Sequence, residues 1–312
     1  MGPIADPRIA SLLPAGTEIV AALGAGHLLV GISHECDYPP SVTRLPRLTG
    51  SPIDATLSSA SIDQHVRALR AAGRPVIAVD GDLLREARPD LILTQGLCEV
   101  CAVVEGDVRT LAQTVSPAPR VLPLTARTLP GIFMDIETTG RAIGREGEAL
   151  ALNAALDRRL RELSARAEEP TPRVVVVEWL EPLYLAGHWV PEMVAWAGGD
   201  DVGAAPGEHS HPRSWREVAG FAPDLIVVAL CGFGLERAVA EWRRFLAGGS
   251  EEAAWAGRLD APIWAIDGNA YTSRPGPRTV DGAELLQQAI VEREASGLVR
   301  LTGPAGPRRA SP

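Results

Sequence analysis

The feature that most constrains this chain is a strand pattern written twice. Arg8-Ile9-Ala10-Ser11-Leu12-Leu13-Pro14 opens a first copy, and Arg88-Pro89-Asp90-Leu91-Ile92-Leu93 closes it. Arg173-Val174-Val175-Val176-Val177 opens a second, and Ala222-Pro223-Asp224-Leu225-Ile226-Val227 closes it. Short apolar runs of this kind, alternating with helical stretches, predict buried parallel strands in an α/β fold. Such folds place ligand groups on the loops that leave the carboxyl ends of their strands. The 312 residues suffice for two domains.

The pattern between the copies is helical. From Gly131 to Glu169 apolar residues recur at helical spacing among alanine, leucine, arginine and glutamate. Gly140, Gly144 and Gly147 weaken the early part, and Pro170 and Pro172 stop the late part. The expected organisation is an N-terminal α/β lobe over 1–128, a linking helix over 129–170 and a C-terminal α/β lobe over 171–300. A tail over 301–312, rich in proline, glycine and arginine, is expected to be disordered. Within the first copy, Thr17 is the expected N-cap of the first helix.

Composition narrows the function. A net charge of −9 makes a nucleic-acid backbone an unfavourable partner. No apolar run reaches the roughly 18 residues that a membrane helix needs, so no membrane insertion is expected. The N-terminus carries no basic segment followed by an apolar stretch, which gives a cytoplasmic expectation. A leader removed beforehand would make the location periplasmic or extracellular instead. No phosphate loop, no Gly-x-Ser-x-Gly elbow and no assignable acid–base carboxylate pair is present, so the chain does not read as an enzyme.

All four cysteines fall at expected strand ends. Cys98 and Cys101 have a spacing that lets two thiolates reach one ion. With Cys36 and Cys231 they make a possible four-sulfur set for zinc or an iron–sulfur cluster, in which His34 could replace one sulfur. A redox dithiol of Cys98 and Cys101 is a second reading, and four small buried hydrophobes are a third. Aromatic residues form another set. Tyr38, Trp179, Tyr184, Trp189, Phe233 and Tyr271 lie on or near strand-end loops, where flat rings with polar rims could stack. Gln95, His188 and Arg274 supply polar groups beside them. His209 and His211 lie on a polar, glycine-rich loop.

The order of these motifs resembles that of class III periplasmic substrate-binding proteins, from about Arg8 to Glu294. Ser11-Leu12-Leu13-Pro14-Ala15-Gly16-Thr17-Glu18-Ile19 resembles the family's opening strand and helix. Val30-Gly31-Ile32-Ser33 followed by Asp37-Tyr38-Pro39-Pro40 resembles the next strand and loop of the cobalamin-binding branch. The resemblance implies two Rossmann-like lobes joined by one long rigid helix, with a shallow cleft between them. It also implies a non-catalytic role: binding a corrinoid, cobalamin or a related tetrapyrrole-like ring, and delivering it to a membrane transporter. Transporter-docking members carry an acidic residue on the helix before each Pro-Asp strand. Asp82 fits that place in the first copy. The second copy has Arg216, with Glu217 adjacent, which weakens the docking role. The alternative is a cytoplasmic metal or iron–sulfur protein on the same fold, using the cysteines, as a redox protein or enzyme subunit.

Overall fold

A computed structural model describes residues 6–96, 103, 105–167, 169–292 and 295–302. The chain divides into two compact units. The first holds residues 1–159 and 274–279, and the second holds 160–273 and 280–312.

The first unit is built on a four-stranded parallel sheet of β1 (Ile9–Ser11), β2 (Leu29–Ile32), β5 (Leu91–Gln95) and β6 (Arg120–Leu124), in the order β2-β1-β5-β6. A short antiparallel pair, β3 (Thr49–Gly50) and β4 (Ala78–Val79), stands apart from it. Helices α1 (Pro14–Ala22), α2 (Ser59–Ala71), α3 (Gly81–Ala87) and α4 (Glu105–Ala112) connect the strands. Ile9, Ala10, Leu91, Ile92 and Leu93 are fully buried, as a sheet covered by helices on its faces requires.

The helical stretch expected over 129–170 is present as two helices, α5 (Leu129–Ala142) and α6 (Glu146–Ser164). The break is a left-handed cap. Gly144 has φ +71°, and the Arg145 amide donates back to the Gly140 carbonyl at 2.7 Å. A Cβ on Gly140 would stand 2.6 Å from that of Ala149, so the two helices pack closely there. The boundary between the units falls inside α6, after Arg159.

The second unit repeats the plan. Strands β7 (Arg173–Leu180), β11 (Leu225–Val228) and β12 (Ile263–Ile266) run parallel. Strand β8 (Leu183–Leu185) folds back antiparallel on β7, with β10 (His211–Pro212) beyond it, and β13 (Leu298–Thr302) closes the other edge antiparallel. The short β9 (Asp200–Asp201) pairs with the start of β7. Helices α7 (Val190–Trp196), α8 (Trp215–Gly220), α9 (Leu235–Ala247), α10 (Glu251–Ala256), α11 (Gly268–Tyr271) and α12 (Thr279–Ile290) complete it, with Thr279 itself counted in the first unit. Trp215, Trp242 and Phe245 form a buried aromatic cluster between helices.

The duplication extends to single hydrogen bonds. The Arg8 amide donates to the Asp90 carboxylate at 2.8 Å, and its guanidinium donates to the Ala87 and Arg88 carbonyls. The Arg173 amide donates to Asp224 at 2.8 Å, and its guanidinium donates to the Phe221 and Ala222 carbonyls. Arg88 and Ala222, each just before a Pro-Asp pair, share a left-handed backbone, with φ +42° and +45°. An arginine at each strand start thus satisfies carbonyls left without an internal partner at the end of the helix that leads into the neighbouring Pro-Asp strand.

Candidate functional site

In the first unit the loop leaving β2 is pinned by hydrogen bonds on all sides. The Thr49 hydroxyl accepts from the His34 amide at 3.0 Å, lies 2.7 Å from His34 Nδ1, and donates to Ser33 Oγ at 3.0 Å. Arg47 donates to the carbonyls of Ser33 and Cys36. The Cys36 thiol is 1% exposed and lies 3.1 Å from Thr17 Oγ1. Thr17 is therefore a buried residue inside α1, not its cap; the helix starts at Pro14, with Leu13 as N-cap.

Beyond Cys36 the loop enters a charge network. Glu18 is buried and accepts from Arg274 at 3.0 Å and from Arg278 at 2.9 and 2.6 Å. Arg274 also grips Asp37 through two nitrogens and reaches the Glu35 carbonyl. Burial lowers the pKa of both arginines, while their hydrogen bonds to Asp37 and Glu18 raise it, and the net direction is up. The Arg278 guanidinium sits 4.1 Å from the centre of the Tyr38 ring. Tyr38 is 45% exposed and is joined to Pro39 by a cis bond. The result is an aromatic side chain presented to solvent and anchored to a buried carboxylate. Gln95 stands half-buried at the end of β5.

In the second unit, the loops after β11 and β12 are bound to each other and to β7. Cys231 after β11 donates its amide to the Glu178 carbonyl on β7, at 2.9 Å. Asn269 after β12 donates to the Phe233 carbonyl at 3.2 Å. A Cβ on Gly268 would stand 2.3 Å from the Leu230 carbonyl oxygen, so only glycine lets these two loops meet. Phe233 is 2% exposed and meets Trp179 edge-on, with centroids 5.4 Å apart. The Arg237 guanidinium lies 3.4 Å from the Phe233 centroid. Tyr184 faces Trp179 across the β7–β8 pair, and both are half-buried. Trp189 is 5% exposed, and its indole N–H donates to the Thr272 carbonyl at 2.9 Å, next to half-buried Tyr271. His188 precedes Trp189, with its ring against that of His209.

The aromatic residues thus separate into two kinds. Tyr38, Trp179, Tyr184 and Tyr271 keep accessible surface, while Phe233 and Trp189 are buried and brace the residues beside them. Cys36 sits buried against α1. Burial pushes its thiol up to about 11, above its usual 9.0, and its partner is the Thr17 hydroxyl. His34 is tied to Thr49, and burial followed by Arg47 lowers its pKa. Cys231 belongs to the second unit and is half-buried. Cys98 and Cys101 lie outside the described residues. Among the described residues no group of three or more histidine, cysteine, aspartate or glutamate side chains could hold a metal ion. The residues whose part in this network local sequence patterns missed are Glu18 and Asp37. The arginine partners of Glu18 lie 256 and 260 positions away, beyond any local pattern.

A family model described as periplasmic binding protein matches residues 9–241. A vitamin B12-binding protein of Vibrio cholerae serotype O1 is 25% identical over 293 residues, covering 90% of this chain and 88% of that protein. Among solved structures, a periplasmic heme-binding protein from Pseudomonas aeruginosa aligns with a TM-score of 0.69 at 19% identity, over 96% of this chain and 100% of that one. A periplasmic vitamin B12-binding protein of Vibrio cholerae aligns with a TM-score of 0.62 at 22% identity, over 93% and 100%. The expectation of a cytoplasmic location rested on the N-terminus alone and finds no support in these matches. Among the described residues no helix is long and apolar enough to cross a membrane. With its doubled α/β plan and a family match spanning most of its length, the chain belongs to the periplasmic binding protein family of non-catalytic, substrate-binding components of transporters.

Proposed function

We propose that this chain binds a corrinoid, cobalamin or a close relative, without changing it chemically, and presents it outside the cytoplasm to an ATP-driven membrane transporter. The observation that carries the reading is Tyr38. It is an exposed aromatic side chain on a strand-end loop, held by Arg278 and, through Glu18, by Arg274. Anchoring before the ligand arrives reduces the ordering cost of binding. The vitamin B12-binding relative, 25% identical across 90% of the chain, favours a corrin over other flat rings. In the second unit, Trp179 and Tyr184 offer aromatic surface braced by Phe233, with His188 as a polar group; in the first unit, Gln95 is a further polar group. Asp82 is exposed on α3 and pairs with Arg85, while the second copy has Arg216 at that place, with Glu217 engaged in the capping box of Ser214. A transporter contact would therefore rest on Asp82 more than on the second copy.

Thermal denaturation with and without cyanocobalamin tests this reading. A ligand that binds only the folded state raises the melting temperature, by roughly 2.7 kcal/mol of added stability at a hundredfold excess over Kd. The shift should shrink in Trp179→Ala and in Tyr38→Ala. No shift in the parent protein at millimolar cyanocobalamin would reject the proposal.

A further inference from the structure

We propose that His188 and His209 together form a binding site for a divalent transition-metal ion, through Nε2 of His188 and Nδ1 of His209. The two nitrogens are 3.3 Å apart and the rings stand at 86°. Two imidazole nitrogens, each about 2.0–2.1 Å from one tetrahedral ion, lie roughly 3.3–3.4 Å from each other. In the absence of an ion the same contact is a hydrogen bond between the two rings.

The backbone is built around this meeting. His188 has φ +55°, a left-handed conformation that costs a branched or bulky residue energy unless its surroundings enforce it. The surroundings do enforce it. The His188 amide donates to the Glu208 carbonyl at 2.6 Å, and its carbonyl accepts from the Gly207 amide at 2.8 Å. The Gly187 amide donates to Ser210 Oγ at 3.2 Å, and a Cβ on Gly187 would come within 2.5 Å of the Glu208 oxygen. Two loops, 187–189 and 205–210, are thus pressed together along the stretch that carries the two rings. The His188 ring rests on Trp189, with centroids 5.6 Å apart, which limits its freedom, while His209 is exposed.

The chemistry follows from the donors. Neutral imidazole suits zinc, nickel and copper better than calcium or magnesium. No third histidine, cysteine, aspartate or glutamate completes the set among the described residues, so water or an added ligand fills the remaining positions. With two protein ligands the site is open, unlike a closed four-ligand structural zinc site. The site lies in the second unit and does not depend on the corrinoid reading.

Calorimetric titration of the full chain with nickel chloride and with zinc chloride tests the proposal. The parent protein should take up one equivalent that His209→Ala and His188→Asn each weaken by at least about tenfold, or 1.4 kcal/mol. Asparagine keeps the tolerance for a left-handed backbone. His211→Ala should bind as the parent does, since His211 pairs with Leu185 on the neighbouring strand. An unchanged metal-free melting temperature in His209→Ala excludes unfolding as the cause. Absence of saturable nickel binding below about 1 mM, unchanged binding in His209→Ala, or an equal loss in His211→Ala would overturn the site and leave the pair as a plain hydrogen bond.

Discussion

Glu18 is where long-range chemistry meets local pattern. Its carboxylate is buried against Arg274 and Arg278, and Arg278 in turn packs on Tyr38. Removing one partner of a buried ion pair costs about 3–5 kcal/mol, because the remaining charges stay desolvated. Glu18→Gln should therefore lower unfolding stability by about 3 kcal/mol in urea titrations, and on the corrinoid proposal it should weaken cobalamin binding as well. A change below about 0.5 kcal/mol would mean that Asp37 alone satisfies the arginines. Cys36 yields a second test at this scale. A thiol held near 11 and bonded to Thr17 should alkylate slowly at pH 8 in the folded protein and rapidly once unfolded. Fast alkylation in the native state would restore Cys36 as a reactive group.

At the scale of elements, the two arginine clamps make the duplication measurable. Arg8 and Arg173 each tie a strand start to the end of the helix before the neighbouring Pro-Asp strand, through the same set of bonds. Both side chains are exposed, so each replacement by alanine should cost only about 1 kcal/mol, and the two costs should be similar. Urea midpoints that differ strongly between Arg8→Ala and Arg173→Ala would show that the two copies carry unequal loads. The strands these arginines begin were readable in the sequence because fully buried parallel strands are continuous apolar runs bounded by proline and glycine. The edge strands β8, β10 and β13 were not, since they are short and take their pairing from neighbours. The split between α5 and α6 was only half readable. Gly144 marked a weak point, but its left-handed cap depends on the bond from Arg145 to Gly140.

At the scale of the whole molecule, buried carboxylates set a pH dependence. Burial raises Asp135 to about 6 and Asp201 to about 7, against two backbone hydrogen bonds that lower each. The folded state holds these protons more tightly than the unfolded chain does. The stability they contribute is therefore fully present below the unfolded value of 3.8 and is lost as pH rises through about 6 and 7. Asp135→Asn with Asp201→Asn should flatten this part of the profile, measured as the parent-minus-variant difference in unfolding free energy at pH 4.5 and 7.5. A difference that grows as pH rises would reverse the assignment.

The family was readable from motif order, because a doubled α/β fold repeats its punctuation in sequence. The candidate site was readable only as residue types on strand-end loops. Which aromatic residue is presented and which is buried depends on packing, as Tyr38 beside Arg278 and Phe233 behind Trp179 illustrate. The most direct test of the corrinoid assignment is an equilibrium titration of the purified chain with cyanocobalamin, and separately with hemin, followed by calorimetry and by the visible spectrum. One cobalamin per chain should bind at micromolar Kd or tighter (about −8 kcal/mol or better), with hemin binding more weakly. Stoichiometric hemin binding with no detectable cobalamin binding would contradict the corrinoid assignment.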